Sequence, residues 1–293
     1  MALDVLGRFA ILAILWGVSF LMVLRVVDGF GWIGAVSIRS LVASALLFTI
    51  AKFKRRKLDF SIGYFPFAVL GVTMVAMQLI GLSFAVPRIG TAMSAILVGA
   101  IPLFSSVIGR LMRIEEMGVA GFVGLIIGFL GIVLLVGFPE GEMTGRFILG
   151  IIVCTIGCIA AAFASNYSKM RMSSVGSWEQ VIGAFFFGGV FTAPLLFFVP
   201  FNRSPLATDW LNIVVLAALC SSLCYVIYFK LVAKMGATRA ISVEFLVTVV
   251  AVLIGALYLH EAISWIQLLG GALVIFGCTL ILSLFGGYKS VLS

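Results

Sequence analysis

Apolar residues fill this chain in long runs separated by short polar spacers. The runs cover 7–27, 32–52, 63–85, 90–111, 118–138, 146–168, 178–199, 210–232, 239–259 and 264–285. Each is about twenty residues, the length a helix rising 1.5 Å per residue needs to cross a hydrocarbon core roughly 30 Å thick. No spacer is long enough to fold as a domain. The pattern predicts an all-α integral membrane protein of ten transmembrane helices with almost nothing outside the bilayer. The first run is too long for a cleaved signal peptide, lacks a small-residue cleavage site and leads straight into a second span.

Composition agrees with the pattern. Of 293 residues, 63% are hydrophobic and only 10% charged, where soluble domains carry about a quarter; the mean hydropathy is +1.28. The net charge of +8 is distributed unevenly. Arg8, the cluster Lys52, Lys54, Arg55, Arg56 and Lys57, and then Arg110, Arg113, Lys169, Arg171, Lys230, Lys234, Arg239 and Lys289 fall on one side of the expected spans. Only Arg25, Arg88, Arg146 and Arg203 fall on the other. Positive charge collects on the cytoplasmic side, so both termini are expected in the cytoplasm. The charge needs no nucleic acid to explain it, and "KFKRRK" reads as a topology anchor ahead of a lipid-binding patch.

Sliding the chain by 146 residues superimposes several features. Ser19 falls on Ser165, Trp32 on Trp178, Arg88 on Lys234, Gly90 on Gly236, Gly109 on Gly255, Glu115 on Glu261, Gly124 on Gly270 and Gly131 on Gly277. Two units of five spans, 1–145 and 146–293, are implied. An odd number of spans per unit turns the second copy upside down, the arrangement of secondary transporters that bind substrate between inverted repeats near the membrane midplane.

"ILWGVSF" (14–20), "IRSLVASALL" (38–47), "AIPLFSSVIGRLMRIEE" (100–116) and "LIGALYLHEAISWIQLLGGALVIFG" (253–277) resemble the EamA-type drug/metabolite transporter superfamily. The resemblance spans the whole chain. It implies two inverted five-helix units around a central cavity and a carrier of small metabolites, often an exporter of amino acids. The phenylalanine-rich composition resembles the aromatic amino-acid exporter branch (YddG-like). One departure stands out: many relatives carry Glu-Pro where this chain has Val247-Thr248, and Glu244 stands one turn earlier.

A charge at the bilayer centre costs about 3 kcal/mol on insertion scales and tends to face a cavity or a partner. Arg39 and Glu244 are the charges expected deep within spans; the remaining acidic residues fall at or near span ends. Helical rise places Arg39 roughly 10 Å from one surface and Glu244 roughly 8 Å from the other, about 12 Å apart in depth in a core of roughly 30 Å. A direct bridge therefore needs tilted helices. Arg39 is either a structural arginine or a cation attracting a substrate carboxylate. Glu244 is either paired with Lys230 or Lys234, or a proton- or substrate-coupling carboxylate.

Polar and aromatic residues deep in spans complete the candidate substrate-binding set: Trp16, Ser19, Arg39, Gln78, Ser165, Asn166, Tyr225, Tyr228 and Glu244. Gln78 and Asn166 cost free energy in lipid unless something satisfies them, and Trp16 and Tyr225 can stack on a planar ligand. Inter-helix hydrogen bonding and plain packing are the bland alternatives for each. Trp32, Trp178, Trp210 and Trp265 fit an interfacial belt, and His260, beside Glu261, fits a surface loop. Cys154/Cys158 and Cys220/Cys224 are spaced i, i+4; a soft metal could use such pairs, but small packing residues explain them. Gly121, Gly124, Gly128 and Gly131 favour close helix approach.

No G-x-x-x-x-G-K-[ST], H-E-x-x-H or G-x-S-x-G occurs, so neither ATP hydrolysis nor protease or esterase chemistry is indicated. A channel would show charge rings or a carbonyl filter. The expectation is a non-enzymatic secondary carrier without cofactor or metal, monomeric, in a bacterial inner membrane. It would move a small amphipathic metabolite by alternating access, export of aromatic or bulky neutral amino acids being the most specific form. A multidrug or other metabolite permease of the superfamily is the alternative, and a channel or intramembrane enzyme the rival of another class.

Overall fold

A computed structural model describes residues 2–114, 117–136, 144–259 and 265–281. Glu115, Glu116, Glu140, Glu142, His260, Glu261 and Lys289, each given a place above, lie outside the described residues. The described chain is almost wholly helical: α1 Ala2–Phe53, α2 Phe65–Leu70, a π-wound segment Gly71–Met77, α3 Gln78–Gly99, α4 Ile101–Leu111, α5 Val119–Val136 and α6 Gly145–Arg171. After these come α7 Ser177–Thr192, a 3₁₀ turn Ala193–Phe197, α8 Ala207–Val215, a second π-wound segment Leu216–Leu223, α9 Cys224–Met235, α10 Ala237–Ile241, α11 Val243–Leu259 and α12 Trp265–Ile281. Seven helical stretches among the described residues are long and apolar enough to cross a membrane, and Trp265–Ile281 is a shorter apolar helix.

The helices do not divide at every expected spacer. The first two runs lie in one helical stretch of 50 residues, Asp4–Phe53, about 75 Å of α-helix and more than twice the hydrocarbon thickness. Gly31, at φ 68° and ψ 170°, breaks it into two legs. Gly90 (φ 78°, ψ 165°) and Gly236 (φ 91°, ψ 166°) make the same break, 146 residues apart. These left-handed conformations disfavour a Cβ, which is why glycine occupies them. The π-wound segments repeat the spacing too: a shift of 146 carries 71–77 onto 217–223, against the observed Leu216–Leu223. At α7 the α-ladder stops at Thr192 because Pro194, two residues on, has no N–H to donate.

Exposed side chains are apolar along whole helix faces. Phe122, Ile126, Leu130 and Leu134 form an exposed stripe at every fourth position of α5, and Ile148, Ile152, Ile156 and Ile159 run along α6. Such stripes would be an aggregation hazard in water; in hydrocarbon they are the solvated face. The opposite face of α5 carries Gly121, Gly124, Gly128 and Gly131 and packs on α12. A Cβ on Gly277 would lie 2.6 Å from the Gly124 carbonyl oxygen, and one on Gly131 2.7 Å from the Val274 nitrogen. Burial of apolar area drives little helix association in lipid, so backbone proximity and dispersion hold this pair.

One end of the molecule is clasped by polar contacts. Arg203 bonds Asp28 at 3.1 Å and Asp209 at 2.6 Å. Asn202 donates to the Val27 carbonyl at 3.0 Å and the Arg203 amide to the Gly29 carbonyl at 3.3 Å. Phe30 meets Phe201 and Trp210 edge-on, with ring centroids 5.4 and 4.9 Å away. Bonding to Asp209 and then Asp28 holds the Arg203 guanidinium above its ordinary value, so the clasp keeps its cation at any physiological pH. At the same end a vestibule of about 1030 Å³ is walled by Val27, Asp28, Trp32, Phe84, Arg88, Arg146 and Asn202 among others. A separate set ties α1 to α9: Lys234 pairs with Asp4 at 3.3 Å, and Asp4 with Arg8 at 3.0 Å.

The α5–α12 seam gives a direct test. Gly277→Val should lower the stability of the purified protein by about 1–3 kcal/mol through overpacking, read as a lower midpoint of thermal unfolding in detergent. Gly271→Ala should leave the midpoint unchanged, because its Cβ would meet only the Leu135 Cδ1, at 3.8 Å.

Candidate functional site

A helix in lipid satisfies its backbone internally, so side-chain polarity inside the bundle has to find a partner or a cavity. The chain supplies both. A small cavity of about 40 Å³ is lined by Trp16, Ser19, Phe20 and Arg39 from α1 and by Gln78, Leu79, Leu82 and Val98 from α3. Cys154 and Cys158 of α6, Tyr225 of α9 and Glu244 of α11 complete the wall. A cavity holding a drug-sized ligand runs to about 300–1,000 Å³, so this one admits a few waters and must widen to take a metabolite.

Arg39 and Glu244 both face this space, and no ion pair joins them. The ion pairs among the described residues are Arg8–Asp4, Arg203–Asp28, Arg203–Asp209 and Lys234–Asp4. Neither Lys230 nor Lys234 meets Glu244 in one. Arg39 is buried and donates from Nε to the Ser221 hydroxyl at 2.6 Å; its terminal nitrogens make no hydrogen bond among the described residues. Glu244 stands in the first turn of α11 and is equally buried. The Gln78 Oε1 is buried without a partner. An orphaned acceptor on a cavity wall is the kind of group that a bound water or ligand satisfies.

Aromatic rings form one side of the cavity. Trp16 meets Tyr225 at 5.4 Å and 65°, and Phe185 meets Tyr225 at 5.0 Å and 81°. The Trp16 indole donates to the Cys220 carbonyl at 2.9 Å, and the Ser19 hydroxyl to the Trp16 carbonyl at 2.7 Å. The bond to Cys220 and the contact with Tyr225 fix the indole on the cavity wall.

Three of the nine candidates lie behind the wall. The Ser165 hydroxyl bonds the Ala161 carbonyl at 2.8 Å and shares a 2.5 Å hydrogen bond with Tyr228, whose ring leans on Trp16 at 5.8 Å. Asn166 donates to the Ser105 carbonyl at 3.1 Å, to the Ser105 hydroxyl at 2.9 Å and to the Ala162 carbonyl at 3.0 Å. Ser105 in turn meets Thr238 at 3.1 Å, joining α6, α4 and α10 in one buried knot. The structure thus brings Trp16, Ser19, Arg39, Gln78, Tyr225 and Glu244 together on the cavity, with Ser165, Asn166 and Tyr228 in the layer supporting it.

Several wall residues carry no polar label in the sequence. Phe20 stands four residues from Trp16, and Leu82 four from Gln78, so helical spacing already places them on the same faces. Leu79 and Val98 stand 146 residues before Tyr225 and Glu244, and all four line the cavity. Cys154 and Cys158, read as packing residues, do face it. Ser221 gave no local signal, because its role depends on Arg39, 182 residues away. Glu179, expected at a span end, is in the first turn of α7 but buried, beside Gly176; a helix N-terminus favours a carboxylate there. Among the described residues no group of three or more His, Cys, Asp or Glu is placed to hold a metal.

The fold has a counterpart elsewhere. A crystal structure of a protein 15% identical superimposes with a TM-score of 0.75, covering 93% of this chain and 94% of that one, which shows a shared fold. Over 281 residues the chain is 25% identical to the uncharacterized inner membrane transporter YedA of Escherichia coli K12, across 95% of this chain and 90% of that protein. It is 25% identical over 275 residues to the uncharacterized transporter YvbV of Bacillus subtilis, across 91% and 87%. A WAT1-related chloroplast protein of Arabidopsis thaliana is 24% identical over 281 residues; the match covers 89% of this chain and 65% of the plant protein's length. The model of the EamA-like transporter family matches twice, at residues 7–137 and 148–283, and the chain belongs to that family of multi-pass membrane transporters.

Proposed function

We propose that the protein is a secondary carrier for small zwitterionic, amphipathic metabolites, most specifically amino acids with aromatic or bulky neutral side chains, moved by alternating access in the direction of export. The observation that carries this reading is the display of Arg39, Glu244 and Gln78 on one small cavity beside Trp16 and Tyr225, with no ion pair joining them among the described residues. A carboxylate fits the free nitrogens of Arg39. An ammonium fits the acceptors Glu244 and Gln78 Oε1. A ring or a bulky apolar side chain fits the Trp16–Tyr225 wall, where aromatic pairs add about 0.5–1.5 kcal/mol beyond area burial.

The two matches of the family model, the paired glycine breaks and the paired π-wound segments support an organisation in two inverted five-helix units, 1–145 and 146–293. The wall pairs Leu79/Tyr225 and Val98/Glu244 support a cavity on the axis relating those units, where exchange of their conformations would open it first to one side and then to the other. The charge asymmetry supports cytoplasmic termini, and the inner-membrane relative a bacterial inner membrane. The lipid-facing apolar stripes need no second subunit, so the reading takes the chain as a monomer that uses no cofactor and performs no chemical conversion.

Reconstituted into proteoliposomes, the protein should show saturable uptake and counterflow of labelled phenylalanine or tryptophan. Leak without counterflow would mean a channel, and a flat response across a full amino-acid panel would refute the substrate class. Arg39→Gln should raise the half-saturating concentration about 10- to 150-fold at unchanged expression, the equivalent of the roughly 1.5–3 kcal/mol of a hydrogen bond to a charged group. Loss of the folded protein instead would make Arg39 a structural brace.

Glu244→Gln keeps shape and removes charge. If Glu244 couples transport to protons, this variant should transport at a rate independent of an imposed pH gradient while the parent responds to it. An unchanged pH profile would remove Glu244 from the coupling.

A further inference from the structure

The two π-wound segments lead into helices that line the cavity, and the second bonds two of the wall residues, Trp16 and Arg39. In a π-turn the ladder runs i→i+5, one residue wider than an α-turn, and backbone carbonyls loosen from the regular ladder. Leu216–Leu223 uses that freedom on both legs of α1. The Cys220 carbonyl takes the Trp16 indole at 2.9 Å, and the Ser221 hydroxyl takes Arg39 Nε at 2.6 Å. The Cys220 thiol reaches the Leu15 carbonyl at 3.3 Å, and the Ser222 hydroxyl reaches the Ala43 carbonyl at 3.1 Å. Ser222 also bonds back to Ala217, five residues before it, at 3.0 Å. The segment ends one residue before Cys224 and two before the wall residue Tyr225. The first π-wound segment, Gly71–Met77, ends immediately before the wall residues Gln78 and Leu79.

We propose that Leu216–Leu223 is a register switch for the binding site. Wound as π, it presents the Cys220 carbonyl and the Ser221 hydroxyl to Trp16 and Arg39 and holds the cavity shut. Rewinding to α passes the extra residue along the helix. Each residue of register is about 100° of rotation and 1.5 Å of rise, so Cys220 and Ser221 leave their partners together and Tyr225 turns off the wall. Arg39 is then free to take a ligand or to move with α1. Gly71–Met77 does the same for Gln78, which gives each half its own switch. What the motion accomplishes rests on the carrier reading; its existence does not.

Deleting Leu219, an exposed residue inside the segment, removes the extra residue that the switch passes along, so the flanking helices stay in register and the site loses its means of opening. In the full-length protein in nanodiscs, Cys154 and Cys158 on the cavity wall should then react with a membrane-impermeant maleimide about tenfold more slowly than in the parent, as expected when a local opening is lost. Leu219→Ala, which keeps the residue count, should react at the parent rate. A folded deletion variant that labels at the parent rate overturns the proposal. Should the deletion fail to fold, hydrogen exchange on the unmodified protein decides: residues 216–223 should exchange as one unit ahead of α8 and α9, and protection equal to those flanks overturns the proposal. Absence of counterflow in the parent would sink the carrier reading while leaving the labelling and exchange results to judge the switch.

Discussion

The structure depends on one constraint: inside hydrocarbon nothing but the protein is available to satisfy a polar group. That requirement makes nearly the whole described chain helical. It also decides where the helices break, since Gly31, Gly90 and Gly236 turn the chain where a side chain would strain the backbone. Its strongest expression is in the middle. Arg39, Gln78 and Glu244 are buried or half-buried among apolar helices, and what they share is a small cavity. Among the described residues only Arg39 of the three has a side-chain bond, to Ser221. A bundle built for stability alone would have no reason to keep a cation, a carboxylate and an orphaned amide oxygen around one small cavity, because each costs free energy that hydrophobic side chains would not. Polarity unsatisfied at rest is polarity available to a ligand.

Most of the fold was legible in the sequence because the hydrophobic signal of a membrane helix is strong and its length is fixed by the bilayer. The helices lie on the expected apolar runs, and Gly124, Gly128 and Gly131 form the close seam that their spacing implied. What was not legible is continuity across spacers. Residues 28–31 read as a polar gap, yet the helix winds through to Gly31, because Asp28 and the backbone at Val27 and Gly29 find Arg203 and Asn202 from a loop 175 residues away. π-winding was equally hidden: neither 71–77 nor 216–223 carries a local breaker signal beyond Gly71.

The candidate site divides along the same line. Residues recognisable by their own chemistry, such as Arg39, Gln78, Tyr225 and Glu244, are on the cavity. Those whose position depends on a distant partner were misplaced or missed. Asn166 looked like pocket lining and is instead the centre of a knot with Ser105. Ser221 looked like one small residue among many and is the partner of Arg39. Helical rise alone decides depth, and it was enough to separate Arg39 and Glu244 into two charges rather than a bridge.

The two halves fill one template with different chemistry, and the difference bears on what can bind. At the wall positions related by 146 residues the first half supplies Leu79 and Val98 and the second Tyr225 and Glu244. The position that holds Arg39 in the first half holds Phe185 in the second, packed on Tyr225 at 5.0 Å. Symmetric walls would suit a symmetric ligand, or none in particular. Here the cation comes from one half and the carboxylate from the other, so a ligand spanning both must itself have two unlike ends. Any motion of one half against the other then changes the distance between its two anchors. A rigid bridge between Arg39 and Glu244 would lock the halves together; in the carrier proposed above, their lack of an ion pair leaves the ligand as the element that would join them.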